Sequence, residues 1–253
     1  MQQRAECLAA EIFIGGPVKD FDKVGRLQLE VLLQEGAQPT SKVLDVGCGA
    51  LRAGYWLLHF LEPGCYFGIE PNQKMLQAGI EYILEPGLLN HAKPTFSSAE
   101  EFDFTVFGTT FDFVLARSIW THASKEQICS MLSSFVRTAS PAGVFLTSYR
   151  PASLSARGTR RSPAAERLAS RWALAARVPS LAPLVPSIGA AMWDYRAAEW
   201  VGQSHKSSLP GMVHHSFRWI AHECARRGLR VRELGYGVVN HQRWLRIERR
   251  PAG

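Results

Sequence analysis

Apolar residues along the chain recur with two spacings, and their alternation predicts the order of the structural elements. Val43 to Val46 and Tyr66 to Ile69 are short apolar runs typical of buried strands, and the apolar positions over 51–61 follow one helix face. The same criteria predict strands at 43–46, 66–69, 94–97, 111–116 and 144–147, and helices at 51–61, 72–84 and 124–139. Such alternation indicates a parallel, doubly wound sheet with right-handed crossovers.

Both ends of the chain extend this pattern. Residues 1–40 predict an N-terminal helical cap, with a break at Gly15-Gly16-Pro17 and an amphipathic helix that ends near Gly36. A helix over about 213–227 and strands near 230–234 and 244–248 follow later, with a bend expected at 235–237. The predicted fold class is therefore α/β, a Rossmann-like doubly wound and mostly parallel seven-stranded sheet with a helical cap.

Residues 150–211 interrupt the alternation after the fifth strand. They combine proline-punctuated stretches with apolar residues that need a surface to bury against, and they are too short to build a core of their own. We expect a lid-like insertion over the substrate site, within a single domain that spans 1–253. The alternative is that the basic and apolar stretch 157–178 lies on an anionic membrane.

A glycine loop and an acid follow the first two predicted strands. Gly47-Cys48-Gly49 lets backbone approach a ligand closely, and Glu70 ends the next strand at the offset expected of a ribose-binding acid. The loop lacks the third glycine of the dinucleotide fingerprint, and Asp45 just before it would repel phosphates but suit a cation. A ligand with an adenosine end and a positively charged end therefore fits better than NAD.

These residues resemble a known family. Val43 to Gly49, with Glu70, resembles motif I of the class I S-adenosylmethionine (SAM) methyltransferases, and Phe111 to His122 resembles their motif IV. Cys48 to Gly54 and Tyr66 to Asn72 resemble the corresponding segments of a bacterial branch of that superfamily, whose substrates are poorly defined. The resemblance covers roughly residues 10–150 and, more loosely, 212–247.

The resemblance implies SAM as cofactor and a set of cofactor-binding residues. Glu70 would accept both ribose hydroxyls, whereas Asp45 would orient the loop, face the cofactor's ammonium group through water, or cap the next helix. Arg52 would hold the cofactor's carboxylate or point outward, and Cys48 would be a small residue that fills the loop. The predicted set is Asp45, Gly47, Cys48, Gly49, Arg52, Glu70, Pro71, Ser98, Arg117 and Ser118.

His122 is the predicted general base. A hydroxyl or protonated amine must lose a proton when it is methylated, and a neutral imidazole suits that task at pH 7. Alternatively, His122 caps the helix that begins near Ser124 or stacks on the cofactor. His205, His214 and His215 are weaker candidates, and their spacing indicates no metal site.

Composition narrows the classes of protein. The 253 residues contain no apolar run long enough to span a membrane, and early acids argue against a secretory signal, so a cytoplasmic protein is expected. The five scattered cysteines favour reduced thiols over a disulfide framework. The net charge of +7 is concentrated in two arginine groups, at 150–177 and 226–250, which would contact nucleic acid, an anionic membrane or a phosphorylated substrate, or would be solvated surface.

The leading functional hypothesis is a SAM-dependent methyltransferase that acts on an oxygen or nitrogen of a small molecule in a biosynthetic pathway. A nucleic-acid methyltransferase is the second hypothesis, although the fourth strand lacks the Asn/Asp-Pro-Pro-Tyr/Phe motif of the enzymes that methylate base amino groups. A SAM-binding protein without catalytic activity is the third. Neither the acceptor nor the oligomeric state follows from the sequence.

Overall fold

A computed structural model describes residues 1–16, 18–151, 213–239 and 242–251. Its strands form one seven-stranded sheet in the order β3-β2-β1-β4-β5-β7-β6. Their bounds are β1 Val43–Val46, β2 Tyr66–Ile69, β3 Thr95–Ser97, β4 Phe111–Ala116, β5 Ala139–Tyr149, β6 Leu229–Val239 and β7 Gln242–Arg249. β7 pairs antiparallel with β5 and with β6, and the other pairs are parallel. The predicted α/β fold class is confirmed.

Helices cover the sheet and the end of the sheet where the site lies. They are α1 Gln2–Ala9, α2 Phe21–Gln34, α3 Gly54–Phe60, α4 Gln73–Ala78, α5 Leu88–Ala92, α6 Lys125–Thr138 and α7 Phe217–Ala225. Successive side chains of a strand point to opposite faces, so Val43 and Leu115 join one apolar cluster while Leu44 and Val114 join the other. Both faces of the sheet are therefore buried, as expected of parallel strands between helices.

The connections of the sheet create a crevice at the carboxyl end of β1. This strand pairs with β2 on one side and with β4 on the other, so the chain leaves β1 toward one half of the sheet and later returns to the other half. Ligands of open α/β sheets bind in such a crevice, outside the carboxyl ends of the strands. The loops that follow β1, β2 and β4 are therefore positioned to build a common site.

The N-terminal cap packs over this end of the sheet. A third apolar cluster joins Ala5, Leu8 and Phe21 of the cap to Ala50 in the loop after β1 and to Met75 of α4. Burial of these side chains stabilises the contact between the cap and the loop. The predicted helical cap is confirmed, and its packing ties the N-terminus to the first two βα loops.

Several element boundaries differ from the sequence predictions. The helix predicted at 51–61 is shorter, Gly54–Phe60, because residues 50–53 form a turn in which Leu51 adopts a φ of 59°. The helix predicted at 72–84 is α4 followed by a π-helical turn, Gly79–Ile83. The predicted bend at 235–237 is wrong, since these residues lie within β6, near an irregularity in strand register.

All of the predicted lid after residue 151 and the predicted membrane-facing stretch 157–178 lie outside the described residues, as does His205. In the part of the chain that the structure describes, no helix is long and apolar enough to cross a membrane.

The C-terminal arginine group is engaged within the fold. Arg246 contacts Glu35 at 2.6 Å and Glu248 at 2.7 Å, and Arg232 also reaches Glu35, at the end of α2. Ion pairs likewise hold Arg226, Arg227, Arg230 and Arg243, while Arg249 and Arg250 donate to backbone carbonyls. The arginines of this group therefore form ion pairs and hydrogen bonds with partners within the fold.

Candidate functional site

The glycine loop after β1 has a backbone that only glycine adopts readily. Gly47 and Gly49 have φ values of 71° and 56°, in the left-handed region. A Cβ on Gly47 would also collide with Cδ1 of Ile119, in the loop after β4. The amides of Gly47 and Cys48 both donate to the carbonyl of Ile69, at 2.8 and 3.1 Å, so the loop is held against the end of β2.

Glu70 stands at the centre of this arrangement. Its side chain is almost fully buried, and its two oxygens accept from the amide of Gly49 at 2.9 Å and from the amide of Asn72 at 2.8 Å. Burial raises the pKa of this carboxyl, while the two amide hydrogen bonds act in the opposite direction. A carboxylate has about four acceptor sites, so each oxygen retains capacity for a further donor.

Asp45 lies beneath the loop and is held by a residue that the sequence did not indicate. Its Oδ2 accepts a hydrogen bond from the phenolic hydroxyl of Tyr66 at 3.0 Å. Burial raises the pKa of Asp45 to about 7; the bond from Tyr66 opposes this, and the neighbouring Glu70 adds to it. Asp45 and Glu70 thus form a buried acidic pair without a basic partner among the residues described, a setting that favours a cationic ligand.

The other predicted residues of the loops after β1, β2 and β3 are neighbours in sequence of the residues that contact Glu70. The Cys48 thiol is buried close to Gly68, and burial raises its pKa, so this thiol suits packing and not nucleophilic attack. Pro71 precedes Asn72, whose side chain caps α4. Ser98 is exposed just after β3, where the carbonyl of Ser97 accepts from the amide of Glu70 at 3.0 Å.

Arg52 is turned toward the cap. Its guanidinium donates to the carbonyls of Gly15 at 2.8 Å and Gly16 at 3.1 Å, and it lies 4.6 Å from the ring centre of Phe21. Burial lowers its pKa to about 10. These contacts show Arg52 joining the cap to the turn after the glycine loop, and its predicted role toward a cofactor carboxylate stays a prediction.

Arg117 is a buried cation with unmet hydrogen-bonding capacity. It follows β4, and its Nη1 donates to the hydroxyl of Ser118, while Nε and Nη2 are buried without a hydrogen-bond partner. Burial lowers its pKa to about 10, and the nearby charge of Arg52 lowers it further. A buried guanidinium in this state favours an anion that reaches both free donors.

Ser118 occupies a strained position that distant residues support. Its φ is 62°, which is uncommon for a residue other than glycine. Its amide donates to the hydroxyl of Ser148 at 2.8 Å, and its hydroxyl exchanges hydrogen bonds with Gln242. Ser148 and Gln242, on β5 and β7, were missed in the sequence because neither lies in a motif. The network fixes the loop that carries Arg117.

The three candidate histidines that the structure describes lie at the same edge of the sheet. His122 is partly buried on the loop after β4, where its amide donates to the carbonyl of Ile119 at 3.0 Å. His214 and His215 lie on the segment that precedes α7, beside this loop. Across the described ranges, no group of three histidine, cysteine, aspartate or glutamate side chains is arranged to hold a metal ion.

A family model matches part of the chain. Residues 43–143 match a family model described as "Methyltransferase domain". The matched stretch contains the glycine loop, Glu70, Arg117 and His122. The match lies within the segment that resembles the class I methyltransferases in sequence.

Solved structures share the architecture over nearly the whole chain. Magnesium protoporphyrin IX methyltransferase (ChlM) from Synechocystis PCC 6803, with bound SAH, superposes with a TM-score of 0.58 at 16% identity, over 98% of this chain and 94% of that one. The DhpI–SAH complex gives 0.56 at 14% identity, over 99% and 94%. The glycopeptide N-methyltransferase MtfA gives 0.55 at 13% identity, over 97% of each chain. At these identities the likeness establishes the fold.

We predict that Asp45 makes stability depend on pH. A carboxyl in the unfolded chain loses its proton near pH 4, whereas Asp45 in the folded chain keeps it to about pH 7. Between these values the folded state binds the extra proton, so the free energy of unfolding falls as the pH rises. Asp45→Asn should remove this fall, and its stability relative to wild type should grow by up to about 4 kcal/mol between pH 4 and pH 8.

Urea unfolding of both proteins at several pH values measures this difference. Glu62→Gln is the matched control, because Glu62 is an exposed acid just before β2 and its replacement should change the pH dependence little. A constant difference between Asp45→Asn and wild type from pH 4 to pH 8 would show that Asp45 ionises normally in the folded protein.

Proposed function

We propose that this protein transfers a methyl group from SAM to an oxygen or nitrogen of a small molecule. The observation that carries the proposal is Glu70, a carboxylate held at the end of β2 by amides from the glycine loop and from Asn72. It stands where an α/β sheet binds the ribose of a nucleotide. The methyltransferase domain matched over 43–143 supplies the reaction class.

The residues of the site fit the distinctive parts of SAM. The open oxygen capacity of Glu70 suits two ribose hydroxyls, and the buried acids Asp45 and Glu70 suit a ligand that carries positive charge. Arg117 offers two unpartnered donors to a carboxylate. Gly47 and Gly49 hold left-handed φ values that favour glycine, and glycine also leaves no Cβ between the loop backbone and a ligand.

Positioning is the main catalytic task of such a site. Bound SAM supplies a methyl group on a sulfonium, which is already reactive toward a nucleophile. The protein's residues would align the acceptor with that methyl group and exclude water, and alignment alone can supply several kcal/mol of rate enhancement. His122, predicted as the base from the sequence, lies on the loop after β4 at this edge, and its role stays a prediction.

The described arginines bear on the alternative of a nucleic-acid substrate. Phosphate binding needs lysine or arginine side chains that are available to the backbone of the nucleic acid. Within the C-terminal arginine group, Arg227 and Arg246 are mostly buried in ion pairs with Glu223, Glu35 and Glu248. The other four paired arginines, Arg226, Arg230, Arg232 and Arg243, keep more than half of their side chains exposed, so a direct assay decides between the two acceptor classes.

Transfer of label from methyl-labelled SAM tests the function. One arm offers small acceptors of defined chemistry, namely catechol, 4-hydroxybenzoate and tyramine, and the other offers transfer RNA and duplex DNA. We expect label in the small-molecule arm. Label only in nucleic acid would contradict the acceptor class, and binding of SAM without transfer to either arm would favour a non-catalytic SAM-binding protein.

Arg117→Met should weaken binding of SAH selectively. Loss of a charged hydrogen-bond donor to the carboxylate should reduce affinity by about 10- to 100-fold, or roughly 1.5–3 kcal/mol. Binding of 5′-methylthioadenosine, which lacks the amino-acid portion, should change by less than about threefold. Calorimetry measures both ligands, and Arg137→Met, an exposed arginine on α6, is the control. Equal loss for both ligands would mean that Arg117 supports the loop and does not bind the carboxylate.

A further inference from the structure

The segment before α7 lies against the loop that follows β4. The amide of Val213 donates to the carbonyl of Thr121 at 2.7 Å, and the Thr121 hydroxyl donates to the carbonyl of Ser118 at 2.8 Å. The next residue along the segment is His214. The backbone therefore brings a histidine from far along the sequence to the loop that carries Arg117 and His122.

His215 holds this segment in place. Its ring is fully buried, with Nε2 at 3.0 Å from the carbonyl of Trp120 and 3.1 Å from that of Ala123, and it stacks on Trp219. Its amide donates to the carbonyl of Arg150 at 3.0 Å, at the end of β5. These contacts give His215 a structural role and fix the backbone on which His214 stands.

The hydrogen bond of His214 determines which nitrogen is available. Its Nδ1 lies 3.1 Å from the carbonyl oxygen of Pro151. A carbonyl only accepts, so Nδ1 must carry the hydrogen, and in the neutral ring Nε2 then presents a lone pair. This Nε2 is buried and has no hydrogen-bond partner. A ring that is oriented by a hydrogen bond at one nitrogen, with an unpaired lone pair on the other, matches the arrangement of a general base.

The surroundings of His214 also keep its ring neutral. Burial lowers its pKa below the usual value of 6.5, and the adjacent positive charge of Arg150 lowers it further, while the bond to Pro151 acts in the opposite direction. Its imidazole is therefore mostly unprotonated at pH 7, the form that accepts a proton.

We propose that Nε2 of His214 takes the proton from the methyl acceptor. The inference rests on the proposed methyltransferase function and names the base at the same site. The carbonyl of Pro151, which accepts from Nδ1 and orients the ring, supports His214 in this role.

The proton and the electrons of this step balance without another reactant. The lone pair of the acceptor's oxygen or nitrogen forms the new bond to the methyl carbon, and the electron pair of the breaking carbon–sulfur bond stays on sulfur. The acceptor's proton moves to Nε2 of His214 and gives an imidazolium. That proton passes to solvent after the product leaves, which restores the neutral ring.

The test measures the ring of His214 directly and needs no acceptor. In the full-length protein with ¹⁵N-labelled histidine and glycine, long-range ¹H–¹⁵N spectra report the tautomer and the pKa of each ring. We expect His214 to carry its hydrogen on Nδ1 and to titrate below pH 6.5. SAM carries a positive sulfonium and SAH a neutral sulfur, so a base beside the methyl group should have a pKa lower by roughly one to two in the SAM complex than in the SAH complex.

The outcomes separate this inference from the proposed function. The amides of Gly47 and Gly49 report cofactor binding independently, and His91, exposed on α5, is the control ring that should not respond. If the amide signals of Gly47 and Gly49 did not shift on addition of SAM or SAH, the proposed function would be overturned, and the assignment of a base with it. Three results, each with both ligands bound, would overturn only this inference. They are a pKa of His214 that is equal in the two complexes, a hydrogen on Nε2 of His214, and a pKa change at His122 in place of His214.

Discussion

The fold brings a carboxylate to the edge of the sheet and holds it there, out of water. Glu70 ends β2, and its two oxygens accept from amides on both sides, one from the loop after β1 and one from the start of the loop before α4. The rest of the site depends on this contact, because it fixes the glycine loop against β2. Burying a carboxylate is costly unless donors surround it, and a nucleotide ribose would add two more.

The site holds charges of both signs that do not neutralise each other. Asp45 has a raised pKa because burial and Glu70 disfavour its ionised form, and Arg117 has a lowered pKa because burial and Arg52 disfavour its cation. No ion pair joins Asp45 to Arg117 in the described structure. A ligand with a cationic group and an anionic group would compensate the charges of Asp45 and Arg117. SAM carries both kinds of group, so the electrostatics of the site favour it over a dinucleotide.

The parts of this site that the sequence predicted are those encoded by neighbouring residues. The glycine loop, Glu70 and the strands on either side follow from short-range periodicity, because a strand, a turn and a helix are local structures. The bond from Tyr66 to Asp45 depends on the pairing of two strands, and the support of Ser118 by Gln242 joins residues 124 positions apart. Such contacts arise only when the whole sheet forms. Arg52 shows the same limit, since its carbonyl partners belong to the cap and its orientation depends on how the cap packs.

The central claim is that Glu70 binds the ribose of an adenosyl ligand, and titration calorimetry with SAH tests it most directly. Glu70→Gln keeps the size of the side chain but replaces one acceptor by a donor, and Glu62→Gln is the exposed control. The account predicts that wild type and Glu62→Gln bind SAH alike, and that Glu70→Gln binds it about 10- to 100-fold more weakly, with its fold retained. Undiminished binding by a folded Glu70→Gln variant, or no binding by the wild type at millimolar SAH, would contradict it.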